Sequence, residues 1–174
     1  MARMKYADID APAVKPISAR IVAERGEMLH IYRMLLHSPA VAEGWLGMMT
    51  AIRQKCALAG SSRELIIMRI AQLNGAAYEA EQHRAFALKE GVSDAQLEEL
   101  EDWENSKLFS PLQRAVLDYT DTMTIDVKVP DAVFAAVREH FDESGMIELT
   151  ATIASYNMVS RFLVALGVEG ADKV

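Results

Sequence analysis

The chain has 174 residues, of which 51% are hydrophobic and 25% are charged, a composition typical of one compact soluble domain. Its 25 acidic and 18 basic side chains give a formal charge of -7, which disfavours nucleic acid or an anionic membrane surface as a partner. The single cysteine, Cys56, excludes an intrachain disulfide, a CxxC motif and a thiolate zinc site. We see no export signal and no apolar run of the roughly 18 to 20 residues that cross a bilayer, so we expect a cytoplasmic protein.

The chain begins with a segment that lacks a periodic apolar pattern. Residues 1–17 contain Pro12 and Pro16, which predicts an extended arm followed by a helical domain over 18–174. From Ser18 onward the apolar residues recur every three or four positions, the period of an amphipathic helix. Serine and proline at the starts, with Ser93 and Ser110 as predicted N-caps, and glycine at several ends give the borders. The predicted helices are 18–36, 40–58, 63–73, 76–90, 94–102, 112–124, 132–141 and 145–166.

The predicted fold class is all-α, with about eight helices. No segment alternates apolar and polar residues for more than a few positions, so no strand is predicted. The helix at 63–73 is apolar over most of its circumference, which is typical of a central, buried helix. Because only a short Asn74-Gly75 break separates it from the next helix, we expect the two to form a central antiparallel helical hairpin.

Three side chains on this hairpin could carry chemistry. Glu79 and His83 are four residues apart on one helix and therefore share a face, where a carboxylate can hydrogen-bond an imidazole. Glu64 lies at the start of the preceding helix, and the short turn would bring it towards the same cleft. Carboxylates and a histidine in an apolar site acquire the shifted pKa values that acid–base catalysis needs.

A purely structural explanation stays open for the same residues. An exposed Glu–His pair at helical spacing is common and contributes only a few tenths of a kcal/mol. Glu64 near a helix start is also what a capping box or a favourable contact with the helix dipole uses.

The same stretch resembles the carboxymuconolactone decarboxylase family, which includes the alkylhydroperoxidase-D-like proteins. The strongest match is Glu64, eleven intervening residues, the segment Ala76-Ala77-Tyr78-Glu79, and His83. In the thiol-peroxidase branch this pattern reads Glu, eleven residues, CxxC, three residues, His. The resemblance implies an all-helical fold that assembles as trimers or hexamers, and it makes Glu64 and His83 the counterparts of that branch's proton-relay acid and histidine.

The sequence departs from the peroxidase pattern at both cysteines. Ala76 and Glu79 stand at the two cysteine positions, and neither can attack a peroxide or resolve a sulfenic acid. We therefore expect no CxxC peroxidase chemistry. Cys56 lies on a different predicted helix, and we interpret it as a structural thiol.

What remains resembles the cysteine-free branch, whose named activity removes carbon dioxide from a carboxylated muconolactone. That resemblance implies a carboxy-lyase in aromatic-acid degradation with no metal or cofactor. We expect His83 to donate the proton, Glu79 to orient and polarise it, and Glu64 to join the proton relay or hold a substrate group. Tyr78, Arg161 and Asn74 are the candidate substrate-binding residues.

A substrate carboxylate also needs a cation. Arg161 attracts notice because it interrupts an apolar helix, where a charge is costly unless it is paired. The arginines considered for this role are Arg63, Arg69, Arg84 and Arg161.

Other functions stay open. The family also contains members described as peroxidase-like, and this chain could be one without a CxxC motif. A metal site could combine Glu79 and His83 with His30 or His37, although Glu-x3-His is one residue longer than the Glu-x2-His of helical di-iron sites. The chain could also be a non-catalytic, ligand-binding homo-oligomer, since it contains 10 methionines and an apolar surplus. For the enzyme we expect a small-molecule substrate and a homo-oligomer, a trimer, hexamer or dimer.

Overall fold

The computed structural model describes residues 1–173 and is all-α over that range, which confirms the predicted fold class. The helices are α1 Lys15–Arg25, α2 His30–Leu35, α3 Pro39–Gln54, α4 Gly60–Leu73, α5 Ala77–Lys89, α6 Asp94–Glu98, α7 Pro111–Ile125, α8 Asp131–Arg138 and α9 Glu143–Leu166. A short 3-10 turn, Leu100–Asp102, follows α6.

The chain divides into two compact units. The first comprises Met1–Cys56 together with the residues from Ala165 onward, and the second comprises Ala57–Val164. The predicted arm boundary after residue 17 is not one of these borders and stays a prediction.

In the first unit, the single helix predicted over 18–36 is wrong. The chain forms α1 and α2 there. Helix α1 ends because Gly26 takes a left-handed conformation (φ 84°) and its N–H donates a hydrogen bond to the Val22 carbonyl. The apolar pattern continues across the break, so periodicity alone gave no sign of it. Pro16, in the first turn, explains why α1 starts at Lys15 rather than Ser18. Ile21 of α1 and Leu46 of α3 are fully buried in this unit.

The second unit contains the predicted hairpin, α4 and α5. Ile66, Ile67 and Ile70 of α4 are completely buried, as the apolar circumference predicts. Gly75 adopts φ 66°, a left-handed conformation that glycine tolerates without strain, and the Ala76 N–H bonds the Ala71 carbonyl at 2.8 Å. The turn therefore reverses the chain within three residues and places α5 alongside α4.

Two capping boxes start the next helices. Ser93 and Ser110 each accept from the backbone N–H of a glutamine three residues on, and that glutamine bonds back to the serine N–H. Both predicted caps are confirmed. The segments that follow pack against α4 and form one apolar core with it. The buried residues of this core are Leu65, Met68, Ala87, Val92, Leu97, Leu100, Trp103, Phe109 and Leu117.

Helix α9 is long and apolar enough to cross a membrane by length and composition, but half of its most apolar window is buried inside the protein. Leu149 and Ile153 are fully buried and Tyr156 nearly so. We therefore interpret α9 as a core helix.

A largely buried ion pair joins α4 to α7. Arg69 Nε and Nη2 donate to the two oxygens of Asp121 at 2.8 and 2.6 Å, and Nη1 donates to the Leu100 carbonyl at 3.1 Å. Trp103 Nε1 also donates to Asp121, at 3.0 Å. Arg69 is thus a structural residue with its guanidinium fully engaged in this network.

Asp121→Ala should destabilise the protein by about 3 kcal/mol, because it leaves the Arg69 guanidinium buried without its counter-ion. Urea denaturation followed by circular dichroism measures the change. The matched control is Glu98→Ala, which removes an exposed acid from α6 and should cost less than about 0.5 kcal/mol. Equal stability of the two variants would contradict a structural role for the Arg69–Asp121 pair.

Candidate active site

The hairpin brings Glu64 and His83 into direct contact. Glu64 lies in the first half of α4 and His83 in the middle of α5, so the antiparallel turn aligns them across the helix interface. His83 Nδ1 lies 2.7 Å from Glu64 Oε2, and the side chains of the two residues are 1% (Glu64) and 9% (His83) exposed. A carboxylate can only accept, so we assign Nδ1 as the protonated nitrogen, which leaves the basic lone pair of the neutral ring on Nε2.

The second oxygen of Glu64 is engaged by an arginine. Arg63 Nε donates to Glu64 Oε1 at 3.2 Å, so the carboxylate lies between a guanidinium and an imidazole. Both neighbours favour the ionised form of Glu64. This acid can therefore stabilise a positive charge on His83 when the imidazole takes up a second proton.

Glu79 is in a different state. It is 2% exposed, and neither of its carboxyl oxygens has a hydrogen-bond partner in the structure. Burial raises the pKa of the Glu79 carboxyl to about 9. At neutral pH this group is consequently an uncharged carboxylic acid with one proton to donate.

The local position of Glu79 excludes a capping role. It stands at the third residue of α5, where a glutamate often reaches back to the N-cap N–H, but α5 has no side-chain cap and the Glu79 oxygens bond nothing there. A buried polar group that serves neither helix end nor ion pair is unusual in a folded protein. Its position one turn before His83 places it on the same face of α5.

Aromatic side chains complete the surroundings of the imidazole. The Tyr156 ring from α9 meets His83 edge-on, with ring centroids 5.4 Å apart, and Phe86 packs tilted at 6.0 Å. Phe86 is 47% exposed, so the site lies close to the surface on this side. Neither aromatic was predicted, because Tyr156 is remote in sequence and Phe86 carries no polar signal.

The structure shows no hydrogen bond between Glu79 and His83, and the predicted role of Glu79 in the site stays a prediction. Helical spacing places Glu79 within reach of the imidazole and the hairpin turn does the same for Glu64, but the hydrogen bond goes to Glu64. Sequence spacing along one helix could not decide between the two acids.

Two of the three predicted substrate-binding residues have other partners. Asn74 donates to Asn157 Oδ1 at 3.0 Å and Ser160 Oγ at 2.7 Å, which ties the end of α4 to α9. Arg161 is exposed and donates to the Thr124 carbonyl at 3.3 Å, and its role in substrate binding stays a prediction. It lies on the outer face of α9. Tyr78 is buried on α5 next to Glu79, and its binding role stays a prediction.

The candidate carboxylate-binding arginines are also separated. Arg63 contacts Glu64, whereas Arg84 pairs with Asp94 and Arg69 with Asp121. His30 Nδ1 and His37 Nε2 lie at hydrogen-bond distance from the backbone carbonyls of Glu169 and Lys5. Within residues 1–173, no three His, Cys, Asp or Glu side chains are grouped as metal ligands would be.

Glu79→Gln should stabilise the protein, and more so as the pH rises. Between the ordinary carboxyl pKa of 4.5 and about 9, the folded protein keeps the Glu79 proton that the unfolded chain loses. Folding stability of the wild type therefore falls with pH over this window, on the order of 1 kcal/mol per pH unit, and the glutamine removes that dependence. Thermal unfolding of both proteins at pH 5, 7 and 8.5 measures it, with the exposed Glu81→Gln on the same helix as control. A constant difference across pH would show that Glu79 is ionised in the folded protein.

Comparison with known proteins supports the resemblance of the hairpin. The model of the carboxymuconolactone decarboxylase family matches residues 39–122, which include Glu64, Glu79 and His83. The uncharacterized protein YdfG of Bacillus subtilis is 32% identical over 115 residues, which cover 65% of this chain and 78% of YdfG.

Solved structures with lower identity share the fold. The alkylhydroperoxidase AhpD core of an uncharacterized peroxidase-related protein from Ralstonia eutropha superposes with a TM-score of 0.80 at 20% identity, over 98% of this chain and 93% of that one. A variant of the debrominase Bmp8 in complex with 2,3,4-tribromopyrrole also gives 0.80, at 17% identity over 98% and 95% of the two chains. With the family model on the hairpin and a curated relative at 32% identity, the chain belongs to the carboxymuconolactone decarboxylase family.

Proposed function

We propose that this protein is an acid–base enzyme of the carboxymuconolactone-decarboxylase type, which acts on a small lactone or carboxylate. The observation that carries the proposal is the buried Glu64–His83 hydrogen bond of 2.7 Å. Its protonated carboxyl neighbour, Glu79, adds a second acid of different character one turn away on α5. Pairs of titratable groups with diverging pKa values are the arrangement that separates acid and base roles at one pH.

Decarboxylation beside a conjugated lactone requires a group that stabilises negative charge and a group that donates a proton to carbon, and these residues can supply both. The bond between the carboxylate carbon and the ring breaks, carbon dioxide leaves, and the electron pair delocalises onto the lactone carbonyl as a dienolate. We assign to Glu79 the stabilisation of that oxygen, because a neutral carboxylic acid donates a hydrogen bond to developing negative charge. A proton must then reach carbon to complete the reaction.

We assign that proton transfer to His83. The imidazolium gives its Nε2 proton to the ring carbon, while Glu64 holds Nδ1–H and stabilises the charged form before transfer. Glu64 thereby takes the orienting role that Glu79 was expected to have. An isomerisation that moves a proton between carbons would use the same three groups.

We also propose a cytoplasmic homo-oligomer with a small-molecule substrate. Exposed apolar side chains on the second unit support contacts between copies, since Phe86 lies beside the site and Ile147 on α9 is 71% exposed. Sedimentation velocity measures the number of subunits.

The wild type should release carbon dioxide from 4-carboxymuconolactone with loss of ultraviolet absorbance. His83→Gln should lower kcat about 100-fold or more, because the glutamine keeps a donor towards Glu64 but transfers no proton. Glu79→Gln should lower kcat by a similar factor with little change in KM, because the amide donates a weaker hydrogen bond to the oxyanion. Activity should fall as the pH rises through about 9, where Glu79 loses its proton.

The control for both variants is Glu81→Gln, an exposed change on α5 that should keep wild-type kcat. No turnover by folded wild type would overturn the decarboxylase assignment. If the wild type instead binds the lactone without turnover, the alternative of a non-catalytic ligand-binding protein gains support.

A further inference from the structure

Four charged or titratable side chains form a row along the α4–α5 hairpin, from the surface to the candidate active site. Arg63 Nη2 lies 3.6 Å from Glu90 Oε1, Arg63 Nε donates to Glu64 at 3.2 Å, and His83 Nδ1 lies 2.7 Å from Glu64. Glu90 is exposed, Arg63 is largely buried, and the last two are buried. A single guanidinium is therefore shared between an outer and an inner carboxylate.

The position of Glu90 depends on Gly60, the first residue of α4. A Cβ built on Gly60 would overlap the Glu90 carboxyl group, so the absence of a side chain allows Glu90 to lie against the helix start. Helix α4 has no side-chain cap and no acid in its first turn. Glu90 brings the missing negative charge from the end of α5, where it is stabilised by the positive end of the α4 dipole.

We propose that Arg63 is a positioning residue that sets the proton affinity of His83 through its ion pair with Glu64. Glu90, whose carboxyl group lies against Gly60, sets how strongly Arg63 neutralises the charge of Glu64. The inference rests on the proposed function, in which His83 transfers the proton. It adds Glu90 and Gly60, which are not among the acid–base residues of the site, as determinants of the pH range over which the site acts.

The direction of each effect follows from electrostatics. Glu64 favours the imidazolium form of His83, and Arg63 opposes it by neutralising part of the Glu64 charge. Without Arg63, Glu64 acts at full strength and the titration midpoint of His83 rises. Without the competing Glu90, Arg63 pairs with Glu64 alone, and the midpoint of His83 falls.

Other titratable groups lie beside His83 and are the same in the wild type and in the variants at positions 60, 63 and 90. They are Glu79 on its own helix and Tyr156, whose ring meets it from α9. Arg84 follows His83 in sequence, but its guanidinium pairs with Asp94. None of these is altered by substitutions at Gly60, Arg63 or Glu90.

The test is the titration of the His83 imidazole by ¹⁵N NMR on histidine-labelled full-length protein, with the resonance assigned by its loss in His83→Gln. Arg63→Gln should raise the midpoint by at least about 0.5 pH unit, a threefold change in proton affinity. Arg63→Lys keeps the positive charge, so its His83 midpoint should lie close to the wild-type value. Glu90→Gln should lower the midpoint, because it removes the carboxylate that competes for Arg63. Gly60→Ala should lower it in the same direction, because the new Cβ displaces the Glu90 carboxyl group.

The control is Arg84→Gln, which removes a positive charge next to His83 in sequence and should leave the midpoint unchanged. Equal midpoints in all variants, or shifts of the same sign for Arg63→Gln and Glu90→Gln, would overturn the proposal. If Arg63→Gln does not fold, the surface changes Glu90→Gln and Gly60→Ala decide alone. Because the readout needs no substrate, a protein that lacks decarboxylase activity but shows the opposed shifts would refute the proposed reaction and keep this inference.

Discussion

The hydrogen bond between Glu64 and His83 is the constraint on which the site depends. It joins two polar side chains inside a hairpin whose other buried groups are mostly apolar, so each stabilises the other in its buried position. The turn at Gly75 sets the register that makes the contact possible, and the Tyr156 ring packs edge-on against the imidazole. A shift of α5 by one residue would turn His83 away and leave the buried Glu64 carboxylate with Arg63 but without its histidine partner.

Glu79, one turn before His83 on α5, is also buried but makes no hydrogen bond. The protein keeps this acid buried without a partner, at an expense in stability that a glutamine or an apolar side chain would avoid. Such local costs are concentrated at functional positions, where a group must be available to a ligand rather than to its own chain. Glu64 lies between an arginine and a histidine, whereas Glu79 is neutral and makes no hydrogen bond. The pair therefore offers two kinds of proton chemistry within one small space.

The features that sequence predicted well are those decided locally. The caps at Ser93 and Ser110 depend on residues three positions apart, and the hairpin depends on one glycine turn between two strongly patterned helices. The break at Gly26 was missed because the apolar period runs through it. The choice of Glu64 over Glu79 as the partner of His83 and the approach of Tyr156 depend on how α4, α5 and α9 pack, which no spacing within one helix encodes. The exposure of Arg161 could not be predicted for the same reason, since only packing decides which side of α9 faces outward.

The space above Gly60 couples two positions that are distant along the chain. A side chain at position 60 and the carboxyl group at position 90 compete for one volume. Because that carboxyl group ends a flexible, exposed side chain, a relative with alanine or a larger residue at position 60 keeps the acid only with its carboxyl group moved away from the start of α4. The residue at position 60 therefore indicates, in an alignment alone, whether an acid at position 90 can lie over the start of α4 in a given member of the family.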